Sequence, residues 1–298
     1  MAQLYLAAAP PEFAAASAPR PADQSVATTR YLDRPDGRIA YDDRGAGPLV
    51  VMVPGLGDLR GEYRFLAPRI AAAGYRVVTM DLRGHGESST GWSDYSTSSV
   101  GGDVAALVAH LAGGPAIAVG TSLGAGAAVV AAATSPQNIA GLILIGPFVR
   151  DVPLPVLMRV ILAVALNVAF VGPWGPAAWG AYYASLYPSR KPQDFAEYKA
   201  RLVANLREPG RLAALQAILR GSKADVEPKL EEVKAAALVI MGSKDPDFPD
   251  PQAEARLVAG RLHGQVEMID GVGHYPHAEV PDLAAPLILD FINRHAAR

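Results

Sequence analysis

Ser122 stands in the stretch A-I-A-V-G-T-S-L-G-A-G-A-A-V-V (116–130), a hydroxyl between two apolar segments with glycine two places to either side. Gly120-Thr121-Ser122-Leu123-Gly124 fits G-x-S-x-G, with a strand-like run before it and a row of small, helix-compatible residues after it. An elbow of this kind strains its central residue, and only small neighbours escape collision with the strand and helix it joins. The product is a hydroxyl at the C-terminal edge of a sheet, near the positive end of a helix. A glycine-rich turn with an incidental serine shares the same pentapeptide, so the motif alone does not separate spacer from nucleophile.

A serine needs a base to take its proton, and a histidine base needs a carboxylate to set its tautomer and stabilise its cation. Two later loops offer both. M-G-S-K-D-P-D-F-P (241–249) brings Asp245 and Asp247, and G-V-G-H-Y-P-H (271–277) brings His274 and His277.

The elements that must position these groups show in the hydropathy pattern. R-I-A-Y-D-D-R (38–44) alternates like a half-covered strand, and L-V-V-M-V (49–53) reads as a buried one. A glycine loop, P-G-L-G-D, precedes a helical pattern over about 62–73. Then come the strand R-V-V-T-M-D (76–81), a helix over about 98–111, the strand that reaches Ser122, a helix over 124–133 and the strand G-L-I-L-I-G (141–146). This alternation predicts α/β architecture, a mostly parallel central sheet with helices on both faces. The rhythm stops over 151–223, which shows only helical periods, and returns with A-L-V-I-M-G (237–242), a helix near 253–262, the strand Q-V-E-M-I-D (265–270) and a final helix from Pro281. The organisation is therefore a core over 30–150 and 224–298, an inserted helical cap over 151–223, and an Ala/Pro-rich flexible arm over 1–29.

Composition narrows the classes. Of 298 residues half are hydrophobic and 19% charged, enough for a large core, and the net charge of −2 gives no reason to expect nucleic acid. With no cysteine, thiolate nucleophiles and disulfides are excluded. The arm lacks the basic start and apolar centre of an export signal, which favours a cytoplasmic chain. The most apolar stretch, 156–171, is shorter than a bilayer span and carries Arg159 and Asn167, so it reads as a buried or interfacial helix without stable membrane insertion. No metal or nucleotide motif is present.

With strands, loops and candidate groups in this order, the sequence resembles the α/β-hydrolase family over about residues 31–298. D-L-R-G-H-G-E-S (81–88) is close to a family signature, G-S-K-D-P-D-F-P fits G-x-x-D-x-x-x-P, and G-V-G-H-Y-P fits G-x-G-H-x-P. V-P-G-L-G-D is similar to the family's H-G-x-G oxyanion loop, with Pro54 in place of histidine. The resemblance implies Ser122 as nucleophile, His274 as base and Asp245 as orienting acid, with the Leu56 and Leu123 amides as oxyanion donors and no cofactor. Thr121 takes a place often held by His, Asn or Trp, and Ala125 replaces a frequent glycine, departures that bear on pocket shape. His85 reads as a structural turn residue, and Asp151 as a less apt acid.

The insert is rich in Trp and Tyr, and no Arg or Lys cluster marks an anion site, although Arg159 has room to point inward. Gly55, Thr121, Phe148, Trp174 and Trp179 are the expected substrate contacts. The expected partner is a small, uncharged, hydrophobic carboxylic ester, handled by a monomer or homodimer. A C–C bond hydrolase, lactonase or cofactor-free haloperoxidase on the same site, or a hydrolase-like binding protein, are the alternatives the pattern leaves open.

Overall fold

Continuous apolar runs become strands covered on both faces. The computed structural model describes residues 28–151, 155, 157, 161, 165, 166 and 168–296. The expected arm lies outside the described residues except for Thr28 and Thr29, and so does Arg159. Eight strands form one sheet: β1 (Thr28–Arg34), β2 (Gly37–Arg44), β3 (Leu49–Val53), β4 (Arg76–Met80), β5 (Ala116–Thr121), β6 (Ile139–Ile145), β7 (Ala236–Gly242) and β8 (Gln265–Ile269). Their order is β1-β2-β4-β3-β5-β6-β7-β8. Only the β1–β2 and β2–β4 pairings are antiparallel.

The helices are α1 (Ala67–Ala72), α2 (Thr97–Leu111), α3 (Leu123–Thr134), α4 (Gly175–Ser185), α5 (Phe195–Leu206), α6 (Arg211–Leu219), α7 (Pro251–Arg261), α8 (Pro276–Glu279) and α9 (Pro281–His295). Residues of α2, α3 and α7 share one apolar cluster with the sheet, while α1 and α9 share another through Ile70, Ile288 and Phe291. The sheet is thus sandwiched, as the alternation of elements requires.

Two expectations change. The helical pattern over 62–73 divides into a 3-10 turn (Arg60–Tyr63) and the short α1, with Pro68 in its first turn, where a missing N–H costs nothing. β1 was not expected as a strand, because at the sheet edge only its Leu32 is buried.

Between β6 and β7 lie α4, α5 and α6, so the chain leaves the sheet here as its hydropathy predicts. They bring apolar clusters of their own, one centred on Tyr183, Tyr187 and Tyr198 and one on Phe170, Trp179 and Leu215. The stretch 156–171 is not uniformly buried: Leu157, Ile161 and Val168 are exposed, whereas Phe170 is buried. No described helix is long and apolar enough to cross a membrane.

Candidate active site

Register puts the useful loops side by side. Val53 pairs with Gly120, Thr121 with Ile145 and Gly242 with Ile269, so the chain leaves β3, β5, β6, β7 and β8 along one edge. At the centre of that edge Ser122 adopts φ 53° and ψ −118°, a conformation that a residue with a side chain occupies only under constraint. The constraint is visible. A Cβ at Gly120 would come within 2.3 Å of the Gly124 carbonyl oxygen, and one at Gly124 within 2.2 Å of the Val53 carbonyl oxygen. The two glycines let strand and helix approach closely enough to pinch the serine between them. Its N–H donates to the Ile145 carbonyl at 2.9 Å, and its carbonyl accepts the Phe148 N–H at 3.1 Å.

His274, in the loop after β8, is buried, and its Nδ1 lies 2.7 Å from Asp245 Oδ2 against 3.8 Å from Asp247 Oδ2. The other oxygen of Asp245 accepts the Asp247 backbone N–H at 3.0 Å. An Nδ1–H donated to this carboxylate leaves Nε2 with the free lone pair. Burial works against the imidazolium, but the charge and hydrogen bond of Asp245, then the charges of Asp247 and Glu62, outweigh it and push the His274 pKa up to about 9.

Asp247 accepts the Tyr182 hydroxyl at 2.7 and 2.9 Å, and burial pushes its carboxyl above the ordinary range. Donor atoms of Asp245, Asp247 and His274 lie within 4.8 Å of one another, close enough for a cation by distance alone. Each carboxylate already accepts from a protein donor, and the Nδ1–H is itself donated to Asp245, so the geometry describes an acid–imidazole pair rather than a metal nest.

His277 is elsewhere. It is fully buried, stacked 5.1 Å from the Tyr63 ring, with Nε2 3.0 Å from Glu62 Oε1 at angles that do not make a hydrogen bond. Asp151 is elsewhere too, accepting the Ser222 hydroxyl at 2.5 Å and the Lys223 N–H at 3.0 Å.

The loop after β3 is gripped on both sides of Leu56. Gly55 N–H donates to Glu62 Oε2 at 2.8 Å, and Gly57 N–H donates to His85 Nε2 at 3.2 Å. His85 Nδ1 lies 2.8 Å from the Arg83 carbonyl, and burial pushes its pKa down to about 4, so the ring is neutral and its Nε2 can accept. On the other side of Ser122, Leu123 opens α3, where the first four N–H groups have no partner within the helix.

Ser122, His274, Leu56 and Leu123 line one cavity of about 470 Å³, walled mainly by apolar side chains such as Leu166, Phe170, Leu219 and Phe248. Of the expected substrate contacts, Phe148 and Trp179 line it as well. The other three do not. Thr121 is buried with its hydroxyl 2.9 Å from the Tyr63 hydroxyl, away from the cavity lining. Gly55 stands behind the serine, where an added Cβ would meet the Ser122 Cβ at 3.4 Å, and its N–H is spent on Glu62. Trp174 is 55% exposed, in the 3-10 turn Gly172–Trp174, with its indole N–H donated to the Val168 carbonyl at 2.9 Å.

Residues 48–281 match the family described as the alpha/beta hydrolase fold. The chain belongs to the alpha/beta hydrolase family. It is 27% identical over 279 residues to the 2-(acetamidomethylene)succinate hydrolase of Mesorhizobium japonicum, spanning 90% of this chain and 98% of that protein. To the 2-hydroxy-6-oxo-6-phenylhexa-2,4-dienoate hydrolase of Burkholderia cepacia it is 28% identical over 278 residues, spanning 86% and 91%. Among solved structures, the bromoperoxidase from Bacillus anthracis shares the fold at a TM-score of 0.76 and 20% identity, covering 90% of this chain and all (100%) of that one.

In this alpha/beta hydrolase several site groups had no sequence signal. Glu62 contacts Gly55, 7 positions away, and Tyr182, one of the insert's aromatics, bonds Asp247, 65 positions away, a contact no local pattern shows. Trp179 was expected at the cavity, but not that its buried indole N–H would lack an acceptor while the ring packs against Gly57 beside Leu56. Lys223 was unforeseen altogether. It lies at the end of the helical segment, is 6% exposed, and lines the cavity. No Arg or Lys cluster was expected, and among the described residues Lys223 is the one Lys or Arg on this wall.

Proposed function

We propose that this chain is a serine hydrolase that cleaves carboxylic esters with a hydrophobic body through an acyl-enzyme. The observation that carries the reading is a strained Ser122 on the wall of the same cavity as His274, whose Nδ1 is bonded to Asp245. Ser122 Oγ attacks the ester carbonyl as His274 Nε2 takes its proton, and Asp245 stabilises the imidazolium that results. The Leu56 and Leu123 N–H groups receive the developing oxyanion, each donor contributing roughly 10²–10³ in rate. His274 returns the proton to the leaving alcohol. Water, deprotonated by the same nitrogen, then attacks the acyl carbon and releases the acid and Ser122. The helices between β6 and β7 serve as the cap that supplies Trp179 and Tyr182 and keeps bulk water from the oxyanion.

Hydrolysis of a C–C bond is the second reading. It is favoured by the likeness to the Burkholderia cepacia hydrolase, whose named substrate contains no ester. The same nucleophile, base and oxyanion donors would serve it. The deciding experiment compares wild type with Ser122→Ala on p-nitrophenyl esters of increasing chain length, together with fluorophosphonate labelling followed by intact mass. The expected outcome is turnover and a single adduct in wild type, and a loss of at least about 10³-fold with no adduct in the variant. Equal turnover by both proteins would remove Ser122 from the mechanism. Labelling without ester turnover would move the assignment to the C–C reading.

A further inference from the structure

Lys223 is the one ammonium or guanidinium group on the cavity wall among the described residues. Its Nζ spends one of three donors on the Gly221 carbonyl at 3.2 Å and lies 5.4 Å over the Phe148 ring. Among the described residues no carboxylate is at ion-pair distance. Asp151 is occupied by the Ser222 hydroxyl and the Lys223 backbone N–H, Asp225 accepts the Ser98 hydroxyl, and the stretch 152–193 contains no Asp or Glu. A buried cation with no carboxylate in contact is costly, and one carbonyl and an aromatic face offset only part of that cost. Burial pushes the Lys223 amine below its ordinary range, although the charges of Asp151 and Asp225 act in the opposite direction. From Lys223 the wall continues through Phe148 and Phe248, whose rings are 5.8 Å apart, to His274, 6.4 Å beyond Phe248. The cation is therefore separated from the base by two aromatic rings.

We propose that Lys223 receives a carboxylate of the substrate, remote from the scissile bond, so that the enzyme acts on esters that also carry an acid group. A single cation suits a monoanion, and the Asp247 carboxylate on the same wall disfavours a dianion such as phosphate. The proposal rests on the ester-hydrolase reading for its chemistry, but not for its binding test.

Mono-p-nitrophenyl adipate is compared with p-nitrophenyl hexanoate, and 4-acetoxybenzoate with 4-tolyl acetate, in wild type, Lys223→Met and Lys223→Arg. In at least one pair the wild-type KM for the acid is expected to be about tenfold below that of its neutral twin. Lys223→Met brings that ratio towards one, and Lys223→Arg retains most of it. Calorimetry of octanoate binding gives a readout free of turnover, with about tenfold weaker binding expected in Lys223→Met. Unchanged ratios and unchanged octanoate affinity in a Lys223→Met protein that melts like wild type would overturn the proposal. If neither ester of a pair is hydrolysed while octanoate binding still depends on Lys223, the reaction assignment fails and the acid site stands.

Discussion

At the scale of single residues, His274 sits between two carboxylates, and distance separates their roles: 2.7 Å to Asp245, 3.8 Å to Asp247. A general base works only when neutral, so under the proposed mechanism activity is expected to rise with pH as His274 loses its proton. Because its neighbours push its pKa up to about 9, kcat/KM is expected to climb on the alkaline side of the ordinary imidazole value near 6.5. Removing either negative charge lowers that pKa and moves the limb to lower pH. Asp245→Asn also loses the tautomer and should cost about 10⁴ in kcat, whereas Asp247→Asn should cost less than about tenfold. A pH–rate profile of the two variants checks both statements, and a larger loss in Asp247→Asn would reverse the assignment. The motif spacing picked Asp245 and His274 through family resemblance. Their rivals have other contacts: Asp247 accepts the Tyr182 hydroxyl, and His277 stacks on Tyr63.

At the scale of elements, the elbow depends on the absence of side chains. A Cβ at Gly124 would stand 2.2 Å from the Val53 carbonyl oxygen and 2.5 Å from that of Pro54, both backbone atoms that cannot swing aside. Gly124→Ala must therefore push β3 and α3 apart, with a loss of about 2 kcal/mol or more and of most activity. Gly102, inside α2, has nothing within 4 Å of an added Cβ. Gly102→Ala should raise stability by up to about 1 kcal/mol. Thermal melts of the two variants should thus move in opposite directions. Elements whose hydropathy repeats over a long run, such as α2, β5 and β7, were legible within a residue or two. Edge strand β1 was not, because an edge strand with one buried residue leaves almost no periodic signal.

At the scale of the whole molecule, the helical segment is tied to the sheet edge by polar contacts as well as by apolar packing. Arg64 holds Asp194 at 2.6 and 2.8 Å, His274 N–H donates to the Leu186 carbonyl at 3.0 Å, and the Tyr198 hydroxyl bonds Asp58. Burial, with the nearby charge of Glu62, pushes the Asp58 pKa up to about 8 from an ordinary 3.8. The folded state therefore keeps a proton that the unfolded chain releases above pH 4. The stability linked to Asp58 is complete below the unfolded pKa and is lost as pH rises through the folded one. Asn cannot ionise, so the melting-temperature advantage of Asp58→Asn over wild type should widen from pH 4 to pH 8 and then level off. A constant difference across that range would show that Asp58 does not hold its proton in the fold. The sequence by itself determined the alternation of strand and helix, the interruption after β6 and the strained serine, because each depends on residues adjacent in the chain. Only the tertiary structure decided that Thr121 lies away from the cavity lining, that Glu62 and His85 grip the loop around Leu56, and that Lys223 faces the cavity. Those outcomes rest on burial and on contacts between distant segments, which packing of all the elements sets and no local pattern encodes.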